Sequence, residues 1–327
     1  MLMKHFFRIL IALAGFGIMQ SISFAQQVND YPNRPIRIVV SFPPGGSPDF
    51  TARVIGQQIG NILKTSVVVE NKPGSGGNLG TQYVATSKPD GYTLLVNSSA
   101  FTVNPSLYGA KAGYSPEKDF ANIAVVSKQA NVVSVNEKTP VKSLKELKTF
   151  SSAEKLAFST PGSGTTPHLT CANLFHGIWK QDIIHIPYKG AGPASLAVAS
   201  GETPIGCTAA FGVLQFAKQG KVRILAISSD KRIPQLPDVP TFIELGYPQI
   251  NDYTLSGFYA PKGTPPDILE KLNQVINQAL EVQDVKDKFD TAGLIPVGGT
   301  IVQTNQIINS ELKHWEQVVK ITRATAD

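Results

Sequence analysis

The chain has 327 residues, with 30 Lys and Arg against 24 Asp and Glu, for a net charge of +6. That length is enough for two hydrophobic cores and long for one. The basic residues are scattered and form no block that could track a phosphate backbone, which excludes nucleic acid as the partner.

The first residues read as an export signal. Lys4 and Arg8 make a basic start, an apolar run extends from Phe6 to Met19, and Ser23-Phe24-Ala25 places small residues where a signal peptidase needs them. A signal peptide over residues 1–25 is expected, leaving 327 − 25 = 302 residues. The other reading, an uncleaved anchor, asks for roughly 20 apolar residues and finds a shorter run. Loss of Lys4 and Arg8 leaves 28 basic residues against 24 acidic ones, or +4. No Cys lies near the cut, and no later segment is apolar enough to cross a membrane.

Strands and helices then alternate. Ile36–Ser41 is a short β-branched run, expected as a buried strand, and Pro43-Pro44-Gly45-Gly46 breaks it. Ser47 and Pro48 suit a helix start, with Val54, Ile55, Ile59, Ile62 and Leu63 as its apolar stripe. Ser66–Glu70 is a second strand, Leu79–Thr86 a helix after a Gly-rich loop, and Tyr92–Val96 a third strand. Further on come strand Leu156–Ser159, helix Pro167–Trp179, strand Ile183–Pro187, helix Pro193–Ser200 and strand Val222–Ser228. Pro266–Leu280 and Thr304–Thr322 close the chain as helices. This order predicts an α/β fold, mostly parallel central sheets with flanking helices. Two lobes fit better than one sheet, with crossings near Val125–Val135 and Pro240–Asn251. Lobe 1 would span 26–125 and 248–327, and lobe 2 would span 126–247.

Four times a strand runs through a small-residue loop into a helix: Phe42–Asp49, Pro73–Gly80, Ser159–His168 and Tyr188–Pro193. Helix N-termini carry unpaired N–H groups and partial positive charge, and glycines let backbone approach a ligand. Ser47, Ser75, Ser163, Thr165 and Thr166 add hydroxyl donors. One such loop is an ordinary βα turn; four on two lobes suit an anion. A nucleotide is not indicated. G-x-x-x-x-G-K-[ST] is absent, and G-x-G-x-x-G fails where Leu79 and Pro167 stand at the third glycine.

Catalytic signals are absent too. There is no G-x-S-x-G elbow. His168, Cys171 and His176 share a predicted helix but match no zinc spacing, so metal is not called for and they read as helix or core residues. His168 follows an anion loop closely enough for a polar contact at the cleft. Asp49 could pair with a ligand amine or simply favour its helix start. Cys171 and Cys207 could form a disulfide in an exported chain or stand as two small buried residues.

The loops carry a resemblance. Phe42-Pro43-Pro44-Gly45-Gly46-Ser47-Pro48-Asp49 and Glu70-Asn71-Lys72-Pro73-Gly74-Ser75-Gly76-Gly77-Asn78-Leu79-Gly80 resemble the Bug family of extracytoplasmic solute receptors of tripartite tricarboxylate transporters. Gly162-Ser163-Gly164-Thr165-Thr166-Pro167-His168-Leu169 and Pro187-Tyr188-Lys189-Gly190-Ala191-Gly192-Pro193-Ala194 are similar to further blocks of that family, in the same order. The resemblance implies a two-lobed periplasmic binding protein closing like a Venus flytrap over a small carboxylate, acting as a monomer and delivering its ligand to a cytoplasmic-membrane permease, with no cofactor. It points to Gly46, Ser47, Asp49, Ser163, Thr165 and Thr166 around one ligand carboxylate. Ser98, Phe101, His168, Tyr188 and Lys189 would line the rest. Pro48 departs from the family's usual Thr, and Phe101 lies where a His is common, so a flatter or aromatic ligand is one expectation. A sensor docking on a signalling partner would use the same site, and a periplasmic hydrolase using His168 is the enzymatic alternative.

Overall fold

A computed structural model describes residues 31–326. The expected signal peptide and its cleavage site lie outside the described residues.

The first lobe opens with strand β1 (Ile36–Val40), helix α1 (Ser47–Leu63), strand β2 (Val67–Asn71), helix α2 (Asn78–Ala85), strand β3 (Thr93–Ser98) and helix α3 (Ala100–Tyr108). Strand β1 lies between β2 and β3 and is parallel to both. Its residues alternate between two cores, as the period of a strand requires. Ile36, Ile38 and Val40 pack with Ala52, Ile55 and Ile59 of α1. Val39 joins Leu95, Phe101 and Tyr259 on the other face.

Strand β4 (Phe120–Asn136) then carries the chain into the second lobe. There helix α4 (Leu144–Ala153), strand β5 (Ala157–Thr160), helix α5 (Thr166–Ala172), strand β6 (Ile184–Pro187) and helix α6 (Ala191–Ser200) follow in turn. Strand β7 (Ile205–Ala209), helix α7 (Ala210–Lys218) and strand β8 (Val222–Ile227) complete it. A π turn, Asn173–Ile178, extends α5. Strand β5 is parallel to β6 and β7.

Strand β9 (Tyr253–Pro261) returns the chain to the first lobe. It is followed by helix α8 (Pro266–Glu281), helix α9 (Gln283–Thr291), strand β10 (Ile295–Pro296) and helix α10 (Ile301–Thr322). Within each lobe the βα units are parallel, and the long strands join them antiparallel: β9 pairs with β3 and β4, and β4 pairs with β7 and β8. The ten strands form one continuous sheet. Both lobes are α/β, and each has its own core. Helices α1 and α8 cover one face of the first, while Phe158, Phe175 and Phe242 fill the second.

Cys171 on α5 and Cys207 on β7 form a disulfide. It ties the helix after the Gly-Ser-Gly-Thr-Thr loop to the strand beside it, inside the second core. Closing a loop with a sequence separation of 36 removes chain entropy from the unfolded state worth about 3–4 kcal/mol. The double substitution Cys171→Ser, Cys207→Ser is expected to lower unfolding free energy by that amount, read by denaturant titration.

Helix α10 brings Glu311 under the strands. Trp315 Nε1 donates to Glu311 Oε2 at 2.8 Å. Burial pushes this carboxyl up to about 7, and repulsion from Asp252 adds to the shift, against hydrogen bonds from Trp315 and Ser99 that lower it. A raised folded pKa means the folded state holds the proton more tightly. Stability from this group is therefore full below about pH 4.5, its ordinary value, and is lost as pH rises through about 7. Glu311→Gln is expected to flatten that part of a pH–stability curve, measured by melting temperature from pH 4 to 8.

Candidate functional site

The carboxyl ends of β1, β3, β5, β6 and β7 face one another across the gap between the lobes, where open α/β sheets bind ligands. The loop after β1 supplies Phe42 to Pro48, the loop after β5 supplies Pro161 to Pro167, and the loop after β6 supplies Lys189 to Pro193. Ser98 ends β3, Ala209 ends β7, and Thr254 lies on β9. Together they enclose a chamber of about 570 Å³ counting its mouth. A second, wider chamber of about 1120 Å³ continues past Pro43 and Lys189 towards Gly74, Tyr108 and Ser163. Proline rings and Phe42 make the walls mostly apolar. Among the described residues, Lys189 is the only charged side chain lining either chamber.

The lobes are in contact, and bare backbone lets them be. A Cβ on Gly76 of the first lobe would sit 2.5 Å from the Ser163 carbonyl oxygen of the second. A Cβ on Gly164 would sit 2.1 Å from Asn104 Oδ1. Both glycines also hold positive φ, +61° and +80°, so any other residue there is strained.

Behind the first chamber, Gln129 on β4 joins the lobes. Its Nε2 donates to Ser47 Oγ at 2.6 Å, and its Oε1 accepts from Phe211 N at the start of α7 at 3.0 Å. Asn131, two residues on, centres a buried cluster. Its Nδ2 donates to Asp252 Oδ1 at 2.9 Å and Thr170 Oγ1 at 3.0 Å. Its Oδ1 accepts from Thr254 Oγ1 at 2.6 Å, and Thr254 lies 2.5 Å from Thr166 Oγ1. Burial raises the Asp252 carboxyl, while the Asn131 and Thr170 hydrogen bonds oppose that rise.

Of the residues singled out in the sequence, Gly46, Ser47, Ser98, Thr165, Thr166 and Lys189 line the first chamber. Ser163 and Tyr188 line the second, with Lys189 shared. Gly46 takes the N-cap position of α1, so Ser47 is left to meet Gln129. Three of the expected residues do not line either chamber. The Asp49 carboxylate turns back to Gly45 N, Arg53 Nη2 and Asn71 Nδ2 at 3.0, 2.9 and 2.9 Å. Burial alone would raise this carboxyl, but those hydrogen bonds outweigh it and hold it below the usual carboxylate range. Asp49 shapes the loop and is not open to a ligand amine. Phe101 is fully buried, its ring centroid 4.0 Å from that of Tyr259 and 5.1 Å from that of Phe120. It builds the core of the first lobe, and the expectation that it selects a flat ligand is not met. His168 stacks on His185 at 3.9 Å, and its Nδ1 accepts from Gly164 N at 3.4 Å. Burial, with His185 and His176 nearby, pushes its pKa well below the ordinary value. The ring braces the loop from behind.

Gln129 and Thr254 were not singled out in the sequence, whereas the Ala191–Pro193 turn belongs to the Tyr188–Pro193 loop that was. A signal existed for the first: Ser127, Lys128, Gln129 and Asn131 interrupt an otherwise largely apolar strand, and Ser127, Gln129 and Asn131 have the two-residue spacing of one strand face.

Two lobes joined by shared strands and shut over a polar-floored cleft define a ligand-capturing receptor. The comparisons with known proteins agree. Residues 51–323 match the model of the tripartite tricarboxylate transporter family receptor, and the chain belongs to that family. It is 36% identical to the protein BugT of Bordetella pertussis over 321 residues, 97% of this chain and 98% of that one. Two solved structures from Rhodopseudomonas palustris are similar. Rpa4515 with adipate has a TM-score of 0.86 at 28% identity, covering 90% of this chain and 99% of that one. MatC with bound malate has a TM-score of 0.83 at 30% identity, covering 88% and 100%.

The glycine contacts make closure testable. Gly76→Ala is expected to hold the lobes apart without unfolding either, because its Cβ meets backbone that cannot rotate away. Small-angle scattering would show a larger radius of gyration than wild type under ligand-saturating conditions, with the far-ultraviolet dichroism unchanged.

Proposed function

We propose that this protein is a periplasmic receptor that captures a small carboxylate between its lobes and delivers it to a membrane permease, and that it does not catalyse a reaction on that ligand. Loops from both lobes closing over one shared chamber, with Lys189 the one charged side chain lining it among the described residues, carry this reading. A cation and first-turn N–H groups of α1 and α6 favour an anion there. Bound adipate and malate in the two Rhodopseudomonas relatives support carboxylate as the ligand class.

The domain division follows the strand partners. Among the described residues, lobe 1 comprises 31–130 and 253–326, and lobe 2 is the stretch between, 131–252. Both crossings pass directly behind Gln129, Asn131 and Thr254, so ligand contacts and hinge are one neighbourhood. A permease can tell loaded from empty receptor only if ligand favours the closed arrangement, which contacts from both lobes achieve. His168 as a hydrolytic base is not supported, since its ring faces His185 and Gly164 behind the loop.

A ligand that binds only the folded state raises its melting temperature, by the equivalent of about 2.7 kcal/mol at 100 times Kd. The mature protein should be melted with adipate, malate, citrate and phenylacetate, each beside its uncharged amide. Stabilisation by at least one acid and not by its amide is the expected result. No shift from any acid, after unfolding and refolding to strip carried ligand, would count against the carboxylate reading.

A further inference from the structure

The hydroxyl protons around the first chamber can be accounted for one by one. Ser47 Oγ accepts from Gln129 Nε2 at 2.6 Å, and that amide cannot be flipped because Phe211 N donates to its Oε1. The Ser47 proton is therefore free to point into the chamber. Ser98 Oγ accepts from Ala100 N at 3.2 Å, so its proton is free as well. The threonines are the reverse. Thr165 Oγ1 donates to the Gly162 carbonyl at 2.8 Å. The Asn131 amide is fixed with its Nδ2 on Asp252 and Thr170, so its Oδ1 can only accept. Thr254 Oγ1 lies 2.6 Å from that oxygen, Thr166 Oγ1 lies 3.5 Å from it, and the two hydroxyls are 2.5 Å apart. One hydroxyl donates to the other, and the partner donates to Asn131. Either way both protons are spent inside the cluster, and Thr166 presents lone pairs to the chamber.

Ser47, Ser98 and Lys189 thus donate into the chamber, and Thr165 and Thr166 accept. A plain carboxylate satisfies the donors and leaves the acceptors facing its apolar chain. An ammonium would satisfy the acceptors but finds no carboxylate in either chamber, since Asp49 is turned away. An alcohol meets both demands without a second charge. We propose that the receptor selects a hydroxycarboxylate, its carboxylate held by Ser47, Ser98 and Lys189 and its hydroxyl donating to Thr166. Asp252 and Asn131 are positioning residues in this scheme: they touch no ligand and set the direction of the Thr166 and Thr254 protons. The inference rests on the carboxylate-receptor reading and deepens it.

A site that pairs with a ligand hydroxyl rejects the analogue lacking it, because its own polar group is left unpaired. Titration calorimetry should compare malate with succinate, mandelate with phenylacetate, and citrate with tricarballylate, with adipate as an acid that carries no hydroxyl. The wild-type protein is expected to bind the hydroxy acid about tenfold tighter in at least one pair, which is about 1.4 kcal/mol. Thr166→Val should bring that ratio towards one, while Thr166→Ser, which keeps the oxygen, should retain it. A defect in folding alone would weaken both members of a pair and leave their ratio intact. Deoxy acids binding as tightly as their partners in every pair, or a ratio unchanged in Thr166→Val, would overturn the proposal. Binding of adipate with no hydroxy acid bound would overturn it and leave the carboxylate reading standing. Silence from all seven acids would remove both.

Discussion

Strand β4 cannot leave its backbone groups unpaired as it passes from one core to the next, and that requirement organises the molecule. Up to Ala130 its partners are β9 and, at Ser127 and Lys128, β10; from Asn131 onward they are β7 and β8. At the change of partner the backbone is met by side chains. Asn131 N donates to Ser228 Oγ at 2.8 Å, Ser228 N donates to the Asn131 carbonyl at 2.9 Å, and Ser228 Oγ donates to the Asp252 carbonyl at 2.6 Å. The swap therefore needs a knot of small polar residues at the junction. Because one strand belongs to both sheets, the carboxyl edges of both sheets are brought to the same gap, and the loops that leave those edges become the walls of the cleft.

The polar junction and the chamber floor are the same residues seen from two sides. Thr254 and Thr166 belong to the chamber lining and to the Asn131–Asp252 cluster. A cluster of buried polar groups is stable only when each member is satisfied, and this one is satisfied by a circuit that runs from a buried carboxylate to the cleft. The circuit fixes hydrogen-bond polarity where it emerges. Ser47 is governed from the other side in the same way, through Gln129 on the shared strand. The hydrogen-bond polarity of the chamber depends on strand register as much as on the loops.

Much of this was legible in the sequence. The strand at Ile36, the helix beginning at Ser47, and the Gly-rich turns at Gly74 and Gly162 announce themselves by period and by punctuation, and the structure places them within a residue or two of expectation. The family follows from the ordered loops. The strand Tyr253–Pro261 was not read, because its residues Ser256 and Gly257 break an apolar run and its partners are distant in the chain. Phe101 and Asp49 were misplaced for a shared reason. Sequence shows that a residue lies on a site-forming segment but not which way its side chain turns. Phe101 turns onto Tyr259, and Asp49 turns onto Arg53. Hydroxyl direction is further still from sequence, since Thr166 is a donor or an acceptor only by virtue of Asn131, 35 residues away.

The approach of Gly76 to the Ser163 backbone gives the cleft a dimension as well as a chemistry. Flexible side chains meeting across a gap would compress by degrees, and the closed form would be a family of gaps. Here Gly76 faces the Ser163 carbonyl oxygen, which a Cβ would approach to 2.5 Å, and a backbone oxygen cannot rotate away. The lobes come together to a fixed stop, so the receptor measures its ligand as a calliper does, by thickness. A molecule too thick for the stop keeps the jaws open whatever its charge, and one too thin forfeits contact with one of the two jaws.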